Sequence, residues 1–182
     1  QIISLKRFLI ASELVFFIAF AFWALVRSTN PEIIHTEKFM EMAFINAILK
    51  SPGFPPHDPW LSGYGISYYY FGYVLSALLI RVSGVASSVG YNLVSALWFG
   101  MTALAAYGLV WDFFAIRILD SKASTEGNRR AYYLALLAPI MLLIVSNWFG
   151  LLDVLHARGF LGEKATQLIN LPALNAEPFN YS

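Results

Sequence analysis

The sequence predicts an all-α, polytopic integral membrane protein: four spanning helices and one large structured loop. Three observations predict it. Apolar residues make up 58% of the 182 and mean hydropathy is +0.61, where an ordinary soluble domain is about 45–50% apolar. Long uncharged runs recur along the chain, as bilayer-crossing segments require. Most of the ionisable and turn-forming residues gather in one stretch, Asn30 to Tyr73, between two apolar segments. With a formal charge of +1 and no basic stripe to neutralise phosphates, no nucleic-acid partner is expected. The absence of cysteine excludes disulfides, thiolate zinc sites and a thiol nucleophile. No repeat or soluble domain is visible, so residues 1–182 read as a single membrane domain, excised from a longer chain whose remaining helices would be its neighbours.

The first spanning helix is expected over about 5–27. Lys6-Arg7 precede it as they would a signal peptide. However, its apolar run outlasts the roughly 7–15 residues of a signal core, and Arg27 follows in place of a small-residue cleavage site. Glu13 interrupts the run. A bare carboxylate in lipid is costly, so it should face protein or carry a proton. It reads either as the partner of a neighbouring hydroxyl or Arg, or as part of a site for substrate or lipid phosphate.

Asn30-Pro31 ends this helix, because the residue before proline is pushed out of the α region. The loop spans 28–67. Within it Thr36 can cap a short interfacial helix from Glu37 to Lys50. Glu37 and Glu41 share a face there, with Lys38 between them offsetting part of the repulsion. Phe44, Ile45, Ile48 and Leu49 make the other end apolar, as suits a helix lying along the interface. The acidic turn reads either as a solvated, salt-bridged helix start or as a functional group of carboxylates. Ser51-Pro52-Gly53 closes the helix. Pro55, Pro56 and Pro59 then stiffen an extended segment around His57 and Asp58. Asp58 is equally a positioned ligand and a local turn former. Gly63 and Gly65 allow a reversal, and Ser67 can cap the next helix.

The second spanning helix is expected over about 68–83. Successive helical residues fan out by about 100°, so Tyr68, Tyr69 and Tyr70 cannot all line one pocket. An interfacial aromatic belt is the plain reading; Tyr69 and Tyr73 form an i,i+4 pair. Arg81 is expected to snorkel to the headgroups. The third span covers about 91–119, with Ser95, Gly100, Ala103 and Ala106 available for close packing and Asp112 near its end. A polar loop, 121–130, leads to the fourth span, about 131–151, where Pro139 suggests a kink. Residues 152–182 read as the start of a second loop region, ending in the sequon-like Asn180-Tyr181-Ser182.

Several short motifs stand in order within the loop: Pro31-Glu32, Glu37-Lys38-Phe39-Met40-Glu41, Pro55-Pro56-His57-Asp58-Pro59-Trp60 and Ser67-Tyr68-Tyr69-Tyr70-Phe71-Gly72-Tyr73. In these the chain resembles a family of polytopic membrane proteins of unknown function known by a Tyr-Tyr-Tyr (YYY) motif. Phe39 and Glu41 stand where that pattern has proline and aspartate. The layout is similar to that of GT-C glycosyltransferases, which take sugars from polyprenyl-phosphate carriers; this is an analogy of fold, and function rests on the site.

The resemblance implies a membrane glycosyltransferase in which the acidic loop contributes the active site. Glu37, Asp58 and Glu41 would take the catalytic acidic roles, and the same three could hold a divalent cation, Mg or Mn. Lys38, His57, Arg27 and Tyr69 would bind substrate or its phosphate. Membrane lipid and a polyprenyl-phosphate sugar are the implied partners, and a multi-pass place in the cell membrane the location. A transporter or channel component is the alternative, although it predicts charge deep in several helices and only Glu13 lies deep. A non-catalytic lipid-binding scaffold is a third. Four crossings would put the acidic loop and the 121–130 loop on one side. Counting lysine and arginine makes that side cytoplasmic, whereas the resemblance makes the acidic loop extracytoplasmic, the side adopted.

Overall fold

The computed structural model describes residues 2–34, 37–120 and 125–147, with isolated positions at 152, 155 and 159. These residues form five α-helices and one 3-10 turn: α1 Ile2–Thr29, α2 Lys38–Lys50, α3 Phe71–Ser83, α4 Ser87–Asp120, α5 Thr125–Leu143 and Val145–Asn147. No strand is found among them; a lone antiparallel bridge joins His57 to Gly65. Two segments are long and apolar enough to cross a membrane: Lys6–Thr29 at mean hydropathy 2.3 and Ser87–Phe114 at 1.7. The other two expected spans appear as shorter apolar helical stretches, Phe71–Ser83 and Tyr133–Leu143.

Boundaries differ from expectation for identifiable reasons. α3 begins at Phe71, because Tyr68 is drawn onto Phe44, with ring centroids 5.6 Å apart, and Tyr70 is the N-cap. Ser67 is therefore not the cap, and the three tyrosines precede the helix. α2 has Glu37 as its N-cap, without a side-chain capping bond; Thr36 lies outside the described residues. α4 starts at Ser87, earlier than expected. Residues 125–130, expected as loop, are helical, and Pro139 sits inside α5. The expected second loop region and the Asn180 sequon lie outside the described residues, apart from isolated positions.

The chain divides into two units, residues 1–105 and 106–182. In the first, α1 and α4 run antiparallel. Phe16 covers Gly100, Trp23 stacks on Phe99 at 4.7 Å and donates to Ser95 Oγ at 3.0 Å, and Arg27 Nε donates to Asn92 Oδ1 at 2.8 Å. A Cβ on Gly100 would meet the Phe16 ring at 3.1 Å, so glycine permits this approach. Residues 6–29 of α1 include none that is buried, which suits a helix facing lipid or further helices.

The core of the unit lies between α2 and α3. Phe44, Ile45 and Ile48 of α2 pack with Ala77 and Ile80 of α3, Ile66 of the loop and Val94 of α4. Gly90 lets α3 sit on α4, since a Cβ there would fall 2.5 Å from Ile80 Cγ1. Arg81 Nη2 donates to the Leu49 carbonyl, so the expected snorkelling side chain instead closes the end of α2. Glu13 is exposed and, with Ser12, Phe16, Met101 and Leu104, lines a pocket of about 230 Å³. In the second unit, Tyr107, Trp111, Ala135 and Pro139 are buried.

Candidate functional site

The site is built from one face of α2. Glu41, Ile45 and Ile48 fall at i, i+4 and i+7, so they share a stripe. Burial of Ile45 and Ile48 therefore carries the Glu41 carboxylate inward with them. There Glu41 Oε2 accepts a hydrogen bond from the Tyr91 hydroxyl at 2.5 Å. The pair opens on a cavity of about 260 Å³, whose other polar lining comes from Tyr73, Ser76, Ser95 and Trp98. Trp98 Nε1 reaches Ser76 Oγ at 3.5 Å. Water-sized or hydroxyl groups fit such a space, and a carboxylate bonded to a phenol can accept and return a proton.

Arg27 stands at the same end of the helix pair. Its guanidinium is fixed by Asn92 Oδ1 and, at 3.1 Å, by the Glu32 carbonyl. Its charge is felt at the Tyr91 hydroxyl. Asn92 also donates to the Pro31 carbonyl at 3.1 Å, tying the exit of α1 to the second turn of α4. A planar cation so fixed suits a phosphate or carboxylate.

Asp58 is positioned by the proline-rich hairpin. Asp58 N–H donates to the Tyr64 carbonyl and Ile66 N–H to the Pro56 carbonyl, each at 2.9 Å. Gly63 supplies φ +86° at the reversal, a region that L side chains disfavour. Gly65 must lack a side chain, since a Cβ would fall 2.9 Å from Pro55 Cγ. The Asp58 carboxylate then accepts from Trp60 and Leu61 N–H at 2.8 and 2.9 Å. That is the turn-forming role open to it from sequence. Asp58 and His57 line a separate cavity of about 390 Å³ with Lys50, Ser51 and Asn46. His57 is exposed, and its backbone N–H donates to Ser51 Oγ.

The remaining expected residues are spread out. Glu37 is exposed at the helix cap, where its carbonyl accepts from Glu41 N–H. The charges of Glu37 and Glu41 both reach the Tyr73 hydroxyl. Lys38 is half-buried in the first turn of α2. Tyr69 is 87% exposed, precedes α3, and rests edge-on against Tyr68, so it forms no helical i,i+4 pair with Tyr73. Glu41 and Asp58 have separate side-chain partners. Among the described residues no group of three or more His, Asp or Glu side chains is placed to hold a metal ion.

Sequence reasoning missed Tyr91, Asn92 and Trp98. The available signal was a run of hydrogen-bonding residues, Tyr91, Asn92 and Ser95, at i, i+1 and i+4 in an otherwise apolar helix. Such groups at the start of a span face protein or water rather than lipid.

Residues 2–173 match the model of a family described as "Uncharacterized membrane protein (DUF2298)". No curated protein and no solved structure matches the chain.

Proposed function

The chain belongs to this uncharacterized membrane protein family, and on that premise we propose that it supplies the acidic site of a membrane glycosyltransferase using a polyprenyl-phosphate-linked sugar. The observation that supports this reading is the Glu41–Tyr91 pair at the mouth of a cavity, at the same end of the helix pair as a fixed guanidinium. In the transfer, Glu41 takes the proton of an acceptor hydroxyl. The acceptor oxygen bonds to the anomeric carbon as the bond from that carbon to the phosphate oxygen breaks. The lipid phosphate leaves with the electron pair, and Arg27 balances its charge. Tyr91 holds the carboxylate in place, Glu37 adds negative potential, and Asp58 shapes the loop.

The test uses the full-length protein in proteoliposomes with a polyprenyl-phosphate hexose as donor. Glu41→Gln should lower transfer of the hexose from this donor to an acceptor hydroxyl by roughly 100-fold or more, the usual worth of a positioned base. Tyr91→Phe should lower it less. Unchanged transfer in Glu41→Gln would remove the catalytic assignment.

A second reading, a non-catalytic scaffold, is favoured by one observation. Trp60, Tyr68 and Tyr73 all pack on Phe44, with ring centroids 5.2–5.6 Å away. Their motifs therefore have a structural use whether or not chemistry occurs.

A further inference from the structure

α3 has two opposite faces, and each lines a different cavity. Gly72 and Ser76 line the cavity of the Glu41–Tyr91 pair. Val74 and Leu78, each two positions further on, fall about 200° round the helix. They line a second cavity of about 320 Å³, bounded on its other side by the end of α2 and the segment after it, through Ile48, Pro52 and Phe54. The two cavities share no lining residue.

The second cavity is a groove with apolar walls and one charge. Leu78 is 55% exposed and Phe54 70%. Val74, Leu78 and Arg81 stand at i, i+4 and i+7, so the charge continues the apolar stripe. Arg81 Nη2 donates to the Leu49 carbonyl, which fixes the guanidinium at that end of the groove. A guanidinium carries five N–H donors, so four remain. Among the described residues Arg81 meets no carboxylate. A planar cation held from one side suits a phosphate, which it can bind through two parallel hydrogen bonds.

Depth agrees. α3 ends at the Gly84 cap, and the apolar run of α4 begins at Ser87. Ile80 lies over Gly90 and Ser76 beside Trp98, so α3 runs along α4 from that end. Arg81 therefore stands near the boundary where the apolar run starts, and Leu78 and Val74 lie progressively deeper. A cation at the boundary with an aliphatic wall below it matches a phospholipid, headgroup first and acyl chain after.

We propose that this groove binds one anionic phospholipid of the surrounding bilayer, with its phosphate on Arg81 and an acyl chain along Leu78 and Val74. This lipid is not a sugar carrier for the Glu41 site. A phosphate on Arg81 sits across α3 from Glu41, whereas reacting atoms must approach within about 3–3.5 Å. The groove therefore binds lipid whether or not Glu41 takes part in sugar transfer.

The test uses the full-length protein in phosphatidylcholine bilayers, with a fluorophore on Val82→Cys as its single thiol. Val82 adjoins Arg81, is 79% exposed and lines neither cavity. Phosphatidylglycerol carrying a nitroxide on its acyl chain should half-quench the label at a mole fraction about fivefold lower than the matching phosphatidylcholine, the preference that one basic side chain gives near anionic lipid. Arg81→Gln should abolish the difference, and Arg81→Lys should keep part of it. Leu78→Trp, which fills the groove and keeps the charge, should abolish it too. Because Leu78→Trp leaves the Arg81–Leu49 bond in place, it still tests the groove if Arg81→Gln does not fold. Equal quenching by the two lipids without these substitutions would overturn the proposal. A preference that survives Leu78→Trp would leave only attraction to a charged surface and would overturn the groove. Displacement of the nitroxide lipid by undecaprenyl phosphate, but not by unlabelled phosphatidylglycerol, would overturn the choice of lipid.

Discussion

Single residues decide what the acidic loop can do, and two carboxylates of similar appearance in the sequence end with different work. Glu41 rides a buried stripe and meets Tyr91. Asp58 is spent on the backbone of Trp60 and Leu61. Asparagine can accept the same two hydrogen bonds, so Asp58→Asn should leave the melting temperature unchanged and turnover within about twofold, whereas Asp58→Ala should loosen the turn. A large loss of turnover in Asp58→Asn at unchanged melting would return Asp58 to the chemistry. Phe44 is the residue on which the motif aromatics converge, and it is buried. Phe44→Ala should cost about 3–5 kcal/mol, read by thermal unfolding in detergent. A cost below about 1 kcal/mol would mean that the cluster does not hold the loop.

Among the elements, α2 was the most legible from sequence, and the bounds of α5, expected over 131–151 and found at Thr125–Leu143, the least. The alternation of acidic start and apolar end in residues 37–50 gave α2 within a residue, because local amphipathicity survives folding. The start of α3 was misplaced because Tyr68 and Tyr70 are good interface residues in either a helix or a loop. Only the distant Phe44 decides between them. The partner of Glu41 was illegible for the same reason: Tyr91 is 50 positions away, and spacing in sequence carries no information across that distance. The seating of α3 on α4 depends on Gly90, where a Cβ would overlap Ile80. Gly90→Leu should therefore separate the two helices and destabilise the protein by about 1–3 kcal/mol or more, seen as a lower melting temperature. A neutral effect would mean that the two helices are not in contact.

At the scale of the molecule, membrane character followed directly from composition, and two of the four expected spans are long and apolar enough to cross a membrane. Hydropathy places α3 in the same class as α1 and α4, although it is half as long. Its companions determine its use: it shares a core with α2 and returns the chain to the point where α1 released it. That return brings the α2 carboxylate to the first turns of α4 and leaves Arg27 at the same edge. The most direct measurement is cross-linking of Glu41→Cys with Tyr91→Cys by a short bis-methanethiosulfonate in native membranes. The two side chains should link rapidly, and Asp58→Cys with Tyr91→Cys should link far more slowly. Failure of the Glu41–Tyr91 pair to link, with both thiols reactive singly, would contradict the site and the folded loop that forms it.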